Sequence, residues 1–498
     1  MNKENPALRY TILLAGILLV GICLRLYNLD EESLWFDEGV SVFRSAQSLP
    51  GLMEDARNVG GNPPLYFIVL HYWMELFGQS EWAVRSLSVL FGMFSLLAAY
   101  RIGILLWDKP TAILATLLAA ISHYHVYYAQ EARCYTMMAV LGILSMDYFL
   151  RLIQTPRTSC LIGYVLTGSA LIYTHYYGPL FLVAQNLFLF GMWWKHAELI
   201  RIRRRLWFFL QGIIFISFLP WLHIMLGKTA AIQLWGLHYS RPAVWDIPGT
   251  LKTYAGENAY LGVVMIVLAG LSVLTGKRQY HVVAPCPSER KENQTGREML
   301  FSDGQKIWFL GLWLMTPILV PFVISQVSTP IFSHRYMIAA SFAFYILTAK
   351  GILNLRKNYL MYPILLILIT VYSWSLYGYY AELDKGQWRQ AVRHVEENAQ
   401  PGDRVLVSPD FCWHYIYRYY AQRDDLVYTS SSSKSPQTDE KQYQELDTLI
   451  QESDRIWVLL WKNRESHKKF IEKLDMNYPG KNHWEYFRIH VYEFTKSP

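Results

Sequence analysis

Charge is what this chain has least of. Only 17% of its 498 residues are Asp, Glu, Lys or Arg, against about 25% in a soluble domain. The shortfall lies in apolar runs long enough to cross a bilayer, which takes about 20 residues each. "YTILLAGILLVGICL", "LWFFLQGIIFISFLPWL", "LGVVMIVLAGLSVL", "WFLGLWLMTPILVPFVI" and "LMYPILLILITVYSW" are such runs. A soluble enzyme is excluded, and a polytopic membrane protein is expected. Cysteine is scarce as well. The five (Cys23, Cys134, Cys160, Cys286 and Cys412) show no paired spacing, so neither a disulfide framework nor a zinc knuckle is indicated. The first run lacks a small-residue cleavage site and is followed by Arg25 and acids, which reads as a retained span rather than a signal peptide. The formal net charge of +7 is no nucleic-acid footprint, because the excess sits in short loops between spans, where Lys and Arg hold a loop on the cytoplasmic side.

That bias settles one ambiguous segment. "NPPLYFIVLHYWMELFG", residues 62–78, begins with Pro-Pro and is interrupted by His71 and Glu75. Read as an interfacial amphipathic helix, it leaves eleven spans near 9–26, 82–105, 110–123, 134–152, 159–173, 176–194, 206–226, 258–275, 307–325, 335–350 and 358–377. The N-terminus is then cytoplasmic, and the inside loops hold about 20 Lys and Arg against about nine outside. Were 62–78 to cross, "RIRRR" at 201–205 would land outside. The outer face therefore receives a long first loop (27–81), the segment "SHYHVYYAQEARCYT", the loop 227–257 and "SQVSTPIFSHRY", while 276–306 is a cytoplasmic loop. Asp37 and Glu131 fall on one side of the membrane.

After residue 380 the composition changes. "WRQAVRHVEENAQ", "TDEKQYQELDTLIQ" and "ESHKKFIEKLDM" read as helices, and "DRVLVSPD", "DLVYTS", "DRIWVLLW" and "FRIHVYEF" as strands. Two domains follow: a helical membrane domain over 1–380 and an extracytoplasmic α/β domain over 381–498. With no glycine-rich phosphate loop in the tail, nucleotide binding there is unsupported. The tail suits a cap on the outer face or a hold on an acceptor, and equally a stabilising appendage.

Acids beside a bilayer are costly and usually serve a purpose. In "ESLWFDEGVS", Asp37 sits beside Trp35 and Phe36, and a partly desolvated carboxylate is a better base. Glu131 and Arg133, read as part of an extended segment, point the same way and line one cleft. Arg85, His334, Arg335 and Tyr336 add cationic and hydrogen-bonding groups at outer span ends, a set that suits a phosphate. Each has a plainer reading. Asp37 and Glu38 serve as helix-capping acids, Glu131 and Arg133 as a local ion pair, and Arg335 and Tyr336 as interfacial anchors. His123, His125, His175 and His334 lack metal-ligand spacing. The sequon at Asn293 lies in a loop assigned to the inside and is set aside.

Taken together, "ESLWFDEGVS", "GNPPLYFIVLHYWMELFGQSEWAVRSLSVLFG", "YYAQEARCYTMMAV" and "HRYMI" resemble the bacterial family 39 glycosyltransferases of the GT-C superfamily, relatives of the protein O-mannosyltransferases and lipid A aminoarabinose transferases. The resemblance covers about residues 8–380. It implies a GT-C fold with external helices lying along the membrane, and transfer of a sugar from a polyprenyl-phosphate carrier on the extracytoplasmic side of the bacterial plasma membrane, with inversion. It implies Asp37 as the base, Glu38 as its support, Glu131 where relatives carry a second loop acid that is often Asp, and Arg133 and Arg335 as ligands of the carrier phosphate. The acceptor is a lipid, glycan or protein. No obligatory cofactor is implied, and a divalent metal is compatible. The rival class is a multi-span transporter, since Pro220, Pro317 and Pro321 interrupt spans. A transporter, however, gathers its polar groups near the midplane of repeated halves. No internal repeat is present, and the acids gather in outer loops. A non-catalytic scaffold that presents the tail is a third reading.

Overall fold

The computed structural model describes residues 6–58, 61–226, 240–276, 301–355, 357–409, 412–430, 450–451, 453–461 and 465–496. Cys286, Asn293, most of the 276–306 loop, part of the 227–257 loop and nearly all of the helix expected from "TDEKQYQELDTLIQ" lie outside those residues. The chain forms two compact units. The first comprises residues 1–27, 49–69 and 85–378, and the second residues 28–48, 70–84 and 379–498.

The first unit is helical. Among the described residues, seven helices are long and apolar enough to cross a membrane, or up to nine if each of two bent pairs is one span. The bent pairs are Lys109–Ile121 with His123–Ala129, turned by 61°, and Asp246–Tyr254 with Ala259–Leu274, turned by 91°. The expected count of eleven includes two further helices, Thr158–Thr174 and Gly178–Lys195, which form where expected but are not among those nine. Leu65–Phe77, with 13 residues, is only about 20 Å long and falls short of a hydrocarbon core of about 30 Å. That agrees with a segment that does not cross.

Large apolar side chains point outward where lipid would cover them. Ile12 and Leu19 on Pro6–Leu26, Phe209 and Ile216 on Arg204–Leu226, and Leu366 and Trp374 on Asn358–Ala381 are exposed. The opposite holds for Ile338–Leu353, which is buried almost throughout and rich in small residues. Small side chains let helices approach closely. A Cβ at Gly351 would strike the backbone carbonyl of Leu268. Two polar pairs lie inside the bundle: His125 Nε2 with Ser341 Oγ at 2.8 Å, and the Tyr345 hydroxyl with the Tyr254 carbonyl at 2.9 Å.

The span expected over 110–123 is not straight. Its helix stops at Ile121, and Ser122 is extended (φ −68°, ψ 122°). A helix end leaves carbonyls without their i+4 partners, a costly state inside a bilayer. Arg25 answers this from Pro6–Leu26. It is 1% exposed, and its guanidinium donates to the carbonyls of Ala120 at 3.0 Å and Ala119 at 3.3 Å, a cation at a helix C-terminus.

The second unit holds a five-stranded sheet. Its strands are β1 (Arg404–Ser408), β2 (Val427–Ser430), β3 (Arg455–Trp461), β4 (Gly480–Tyr486) and β5 (Ile489–Thr495), in the order β2-β1-β3-β5-β4. β1 pairs parallel with β2 and β3, whereas β5 pairs antiparallel with β3 and β4. Alternation along the strands feeds two cores. Val405, Val407, Trp457 and Leu459 pack with Trp388, Val392 and Val395 of the helix Trp388–Asn398. Leu406, Ile456, Val458 and Leu460 pack with Leu474 of the helix Glu465–Asn477. Strands covered on both faces read as continuous apolar runs, as "VLV" and "IWVLL" do. β4 has no such run: it is an edge strand with mostly exposed residues, and the sequence pattern predicts no strand there.

Candidate active site

Glu131 and Arg133 lie in the first unit, in the short segment that joins His123–Ala129 to Tyr135–Gln154. The expectation of an extended segment is corrected here. Residues 131–133 form a bend, and the Arg133 N–H donates to the Glu131 carbonyl at 2.7 Å. Two helix ends must be joined in five residues, so the chain folds back, and strand-like alternation does not apply. Glu131 is nonetheless buried, 1% exposed. The bend is pinned by Ser88, whose hydroxyl donates to the Arg133 carbonyl at 3.2 Å. Arg85, one turn earlier on Glu81–Leu106, is also buried.

Arg335 and Tyr336 stand on a single 3₁₀ turn, His334–Met337. A compact group of rings assembles around them. Arg133 lies over Tyr135 and Arg335 over Tyr336, each with its guanidinium carbon 5.8 Å from the ring centre. The Tyr135 and Tyr336 rings are 6.2 Å apart, and both flank His175, at 6.4 Å and 4.6 Å. Tyr177 closes the group, 5.2 Å from Tyr336, with its hydroxyl on the Ile331 carbonyl at 2.7 Å. Burial, then the charges of Arg133 and Arg335, hold the His175 imidazole down at about 3, so it is neutral at physiological pH. The first unit therefore brings together Arg133, Arg335 and Tyr336. His334 turns elsewhere: its Nδ1 meets the Thr250 hydroxyl at 3.0 Å and its ring lies 5.5 Å from Phe332.

Asp37 and Glu38 belong to the second unit, on the helix Phe36–Ser45. One face of that helix carries Phe36, Gly39 and Phe43, at i, i+3 and i+7. It rests on the turn Trp413–Tyr417, with Phe36 and Phe43 edge-on to Tyr415 at 5.8 Å and 5.2 Å. Glu38, fully buried, accepts from the Trp35 N–H at 3.3 Å, which caps the helix, and from Lys385 Nζ at 3.2 Å. Neighbouring ties repeat the pattern. The Asp384 and Lys385 N–H groups donate to Glu32, the Arg389 N–H donates to Ser33, and the Arg389 guanidinium and the Tyr420 hydroxyl both reach Glu81 Oε1 at 2.7 Å. Glu38 thus fixes the helix on which Asp37, half-buried, occupies the first turn.

Sequence reasoning missed His175, Tyr135, Lys385, Arg389 and Glu81. Lys385 and Arg389 carried no local signal, because their partners lie more than 300 residues away. In the sequence His175 suggests a metal ligand and nothing more. Among the described residues, no group of three or more His, Cys, Asp or Glu side chains is arranged to hold a metal ion.

A helical multi-pass unit with a small C-terminal sheet is the architecture of the GT-C membrane glycosyltransferases, and this chain has that fold. Residues 61–224 match the profile of the family described as dolichyl-phosphate-mannose-protein mannosyltransferase. The fold is similar along 99% of both chains to ArnT from Cupriavidus metallidurans in the apo state (TM-score 0.60, 11% identity). It is also similar along 98% of both chains to the same protein bound to undecaprenyl phosphate (TM-score 0.58, 11% identity). The oligosaccharyltransferase of Archaeoglobus fulgidus matches over 90% of this chain and 67% of its own (TM-score 0.53, 11% identity). No curated protein matches by sequence.

Proposed function

We propose that the protein is a membrane glycosyltransferase that moves a sugar from a polyprenyl-phosphate carrier to an acceptor hydroxyl, on the extracytoplasmic side of a bacterial plasma membrane. The observation that carries this reading is the pair of guanidiniums, Arg133 and Arg335, gathered around one ring cluster with Tyr336. Sugar transfer from such a donor leaves negative charge on the departing phosphate, and preorganised cations stabilise charge as it develops. Arginine suits phosphate because its planar fork pairs two oxygens at once. A solved structural relative of this chain is bound to undecaprenyl phosphate, which supports the same donor class here.

In the proposed step an acceptor oxygen attacks the anomeric carbon as the bond from that carbon to the phosphate oxygen breaks, with inversion. The acceptor proton passes to Asp37, on the strength of its motif, and the electron pair leaves with the polyprenyl phosphate. Glu131 is the second acid of the reading, and Arg85 and Tyr336 are proposed to assist the donor phosphate, whereas His334, held by the Thr250 hydroxyl, is withdrawn from that set. Guanidiniums meet the phosphate charge, so the reading invokes no obligatory metal, a divalent ion being an addition rather than a requirement. The acceptor class is a lipid, a glycan or a protein. A transfer assay with a radiolabelled polyprenyl-phosphate sugar tests this. Asp37→Asn should lower turnover by about 10²-fold or more, the range of general-base contributions, and leave donor binding intact. Arg335→Ala should weaken donor binding more than acceptor binding. Full turnover in Asp37→Asn would remove it from the mechanism.

A further inference from the structure

His175 sits at the centre of the ring cluster and has one nitrogen to spare. It is 2% exposed. Its Nδ1 accepts the Tyr177 backbone N–H at 3.1 Å, and a neutral imidazole that accepts at one nitrogen carries its proton on the other. Nε2 is therefore a donor. It is buried, and among the described residues it finds no hydrogen-bond partner. A buried donor without an acceptor costs free energy and calls for an explanation. The surroundings supply one. Both rings that flank the imidazole, Tyr135 and Tyr336, carry a guanidinium on their faces.

From this we infer that the His175 Nε2–H is a third donor of the carrier-phosphate site, beside Arg133 and Arg335. This rests on the reading of the arginines given above. A neutral donor fits such a place well. A protonated imidazole would add a third cation to two arginines, whereas the neutral ring, which burial and those arginines enforce, offers a directed hydrogen bond at no cost in repulsion. Its Tyr177 contact fixes the tautomer, so the donor needs no reorganisation when the anion arrives.

The test uses the purified full chain in nanodiscs, with undecaprenyl phosphate and undecaprenol as probes and native mass spectrometry as the binding readout. Two variants split the two nitrogens. His175→Asn keeps an acceptor near the Nδ1 position and deletes the Nε2 donor, whereas His175→Gln places an amide N–H near the Nε2 position. The expected result is that His175→Asn weakens undecaprenyl phosphate by roughly tenfold to a hundredfold, the worth of a hydrogen bond to a charged group. His175→Gln should stay within about threefold of wild type, and undecaprenol should be unaffected by either. If His175→Asn binds as tightly as wild type while Arg335→Ala is weakened, this inference falls and the arginine reading stands. If wild type does not prefer undecaprenyl phosphate to undecaprenol, the arginine reading falls and takes this one with it. If His175→Gln is the weaker variant, the residue serves only to hold Tyr177, and the inference is overturned. Should either variant fail to fold, the wild-type Nε2 ¹⁵N resonance decides. It should shift on adding undecaprenyl phosphate but not undecaprenol, and an unmoved resonance in a saturated sample overturns the proposal.

Discussion

Glu38 and Lys385 carry opposite charges in a place where neither is solvated, their side chains 0% and 4% exposed. Such a pair contributes little beyond what an apolar pair would, yet breaking it on one side strands a buried charge. Lys385→Met should therefore destabilise the protein by about 3–5 kcal/mol, read as a fall in the thermal midpoint of the purified chain. Glu38→Gln combined with Lys385→Met should recover much of that loss. A single variant that melts with wild type would show that the pair is idle. The acid of this pair was legible in the sequence, standing beside aromatics just past a span. The base was not, because 347 residues separate the two and nothing local to Lys385 announces a buried partner. His175 failed for another reason. A lone histidine between two apolar runs says nothing of which nitrogen is occupied, and that is the fact on which its chemistry turns.

At the scale of elements, the helix Phe36–Ser45 depends on how closely it approaches its neighbour. A Cβ on Gly39 would fall inside van der Waals contact of the Tyr415 backbone carbonyl, and a backbone atom cannot rotate aside. Gly39→Ala should thus lift the helix from Tyr415, at about 1–3 kcal/mol for an overpacked contact. The unfolding midpoint should drop, and the segment 32–48 should become more sensitive to limited proteolysis. Unchanged proteolysis and stability would mean that the helix shifts without loss. Elements themselves were largely legible. Long apolar runs became helices because nothing else satisfies the backbone in lipid, and β1, β2, β3 and β5 announced themselves through β-branched and aromatic runs. Two kinds of feature were not. β4 packs along one edge and has too few apolar residues to show a period. The 61° bend after Ile121 is held by Arg25 from another helix, a tertiary cause that no local pattern encodes.

For the whole molecule, the sidedness of the sheet depends on one bent pair. Among the described residues between Arg203 and the sheet, the candidate spans are Arg204–Leu226, Asp303–Val327, His334–Leu353 and Tyr359–Ala381, plus the pair Asp246–Tyr254 with Ala259–Leu274. Four crossings return the chain to the side it left, and five do not. The helices Thr158–Thr174 and Gly178–Lys195 precede Arg203 and do not enter this parity. The cluster of Arg201, Arg203, Arg204 and Arg205 marks a cytoplasmic loop by charge bias, and the function proposed above, with its extracytoplasmic sheet, predicts the sheet on the other face. The bent pair should then cross as one span, and Ala259–Gly276, 18 residues, is about 27 Å long, close to the thickness required. Single cysteines at Arg203 and Glu485, placed in a chain whose five native cysteines are replaced, test this with a membrane-impermeant thiol reagent on intact cells. Cysteine 203 should be protected and cysteine 485 labelled. Equal labelling of the two would make Asp246–Leu274 a re-entrant loop, return the sheet to the side of Arg203, and leave the charge bias as the sole guide to which side that is.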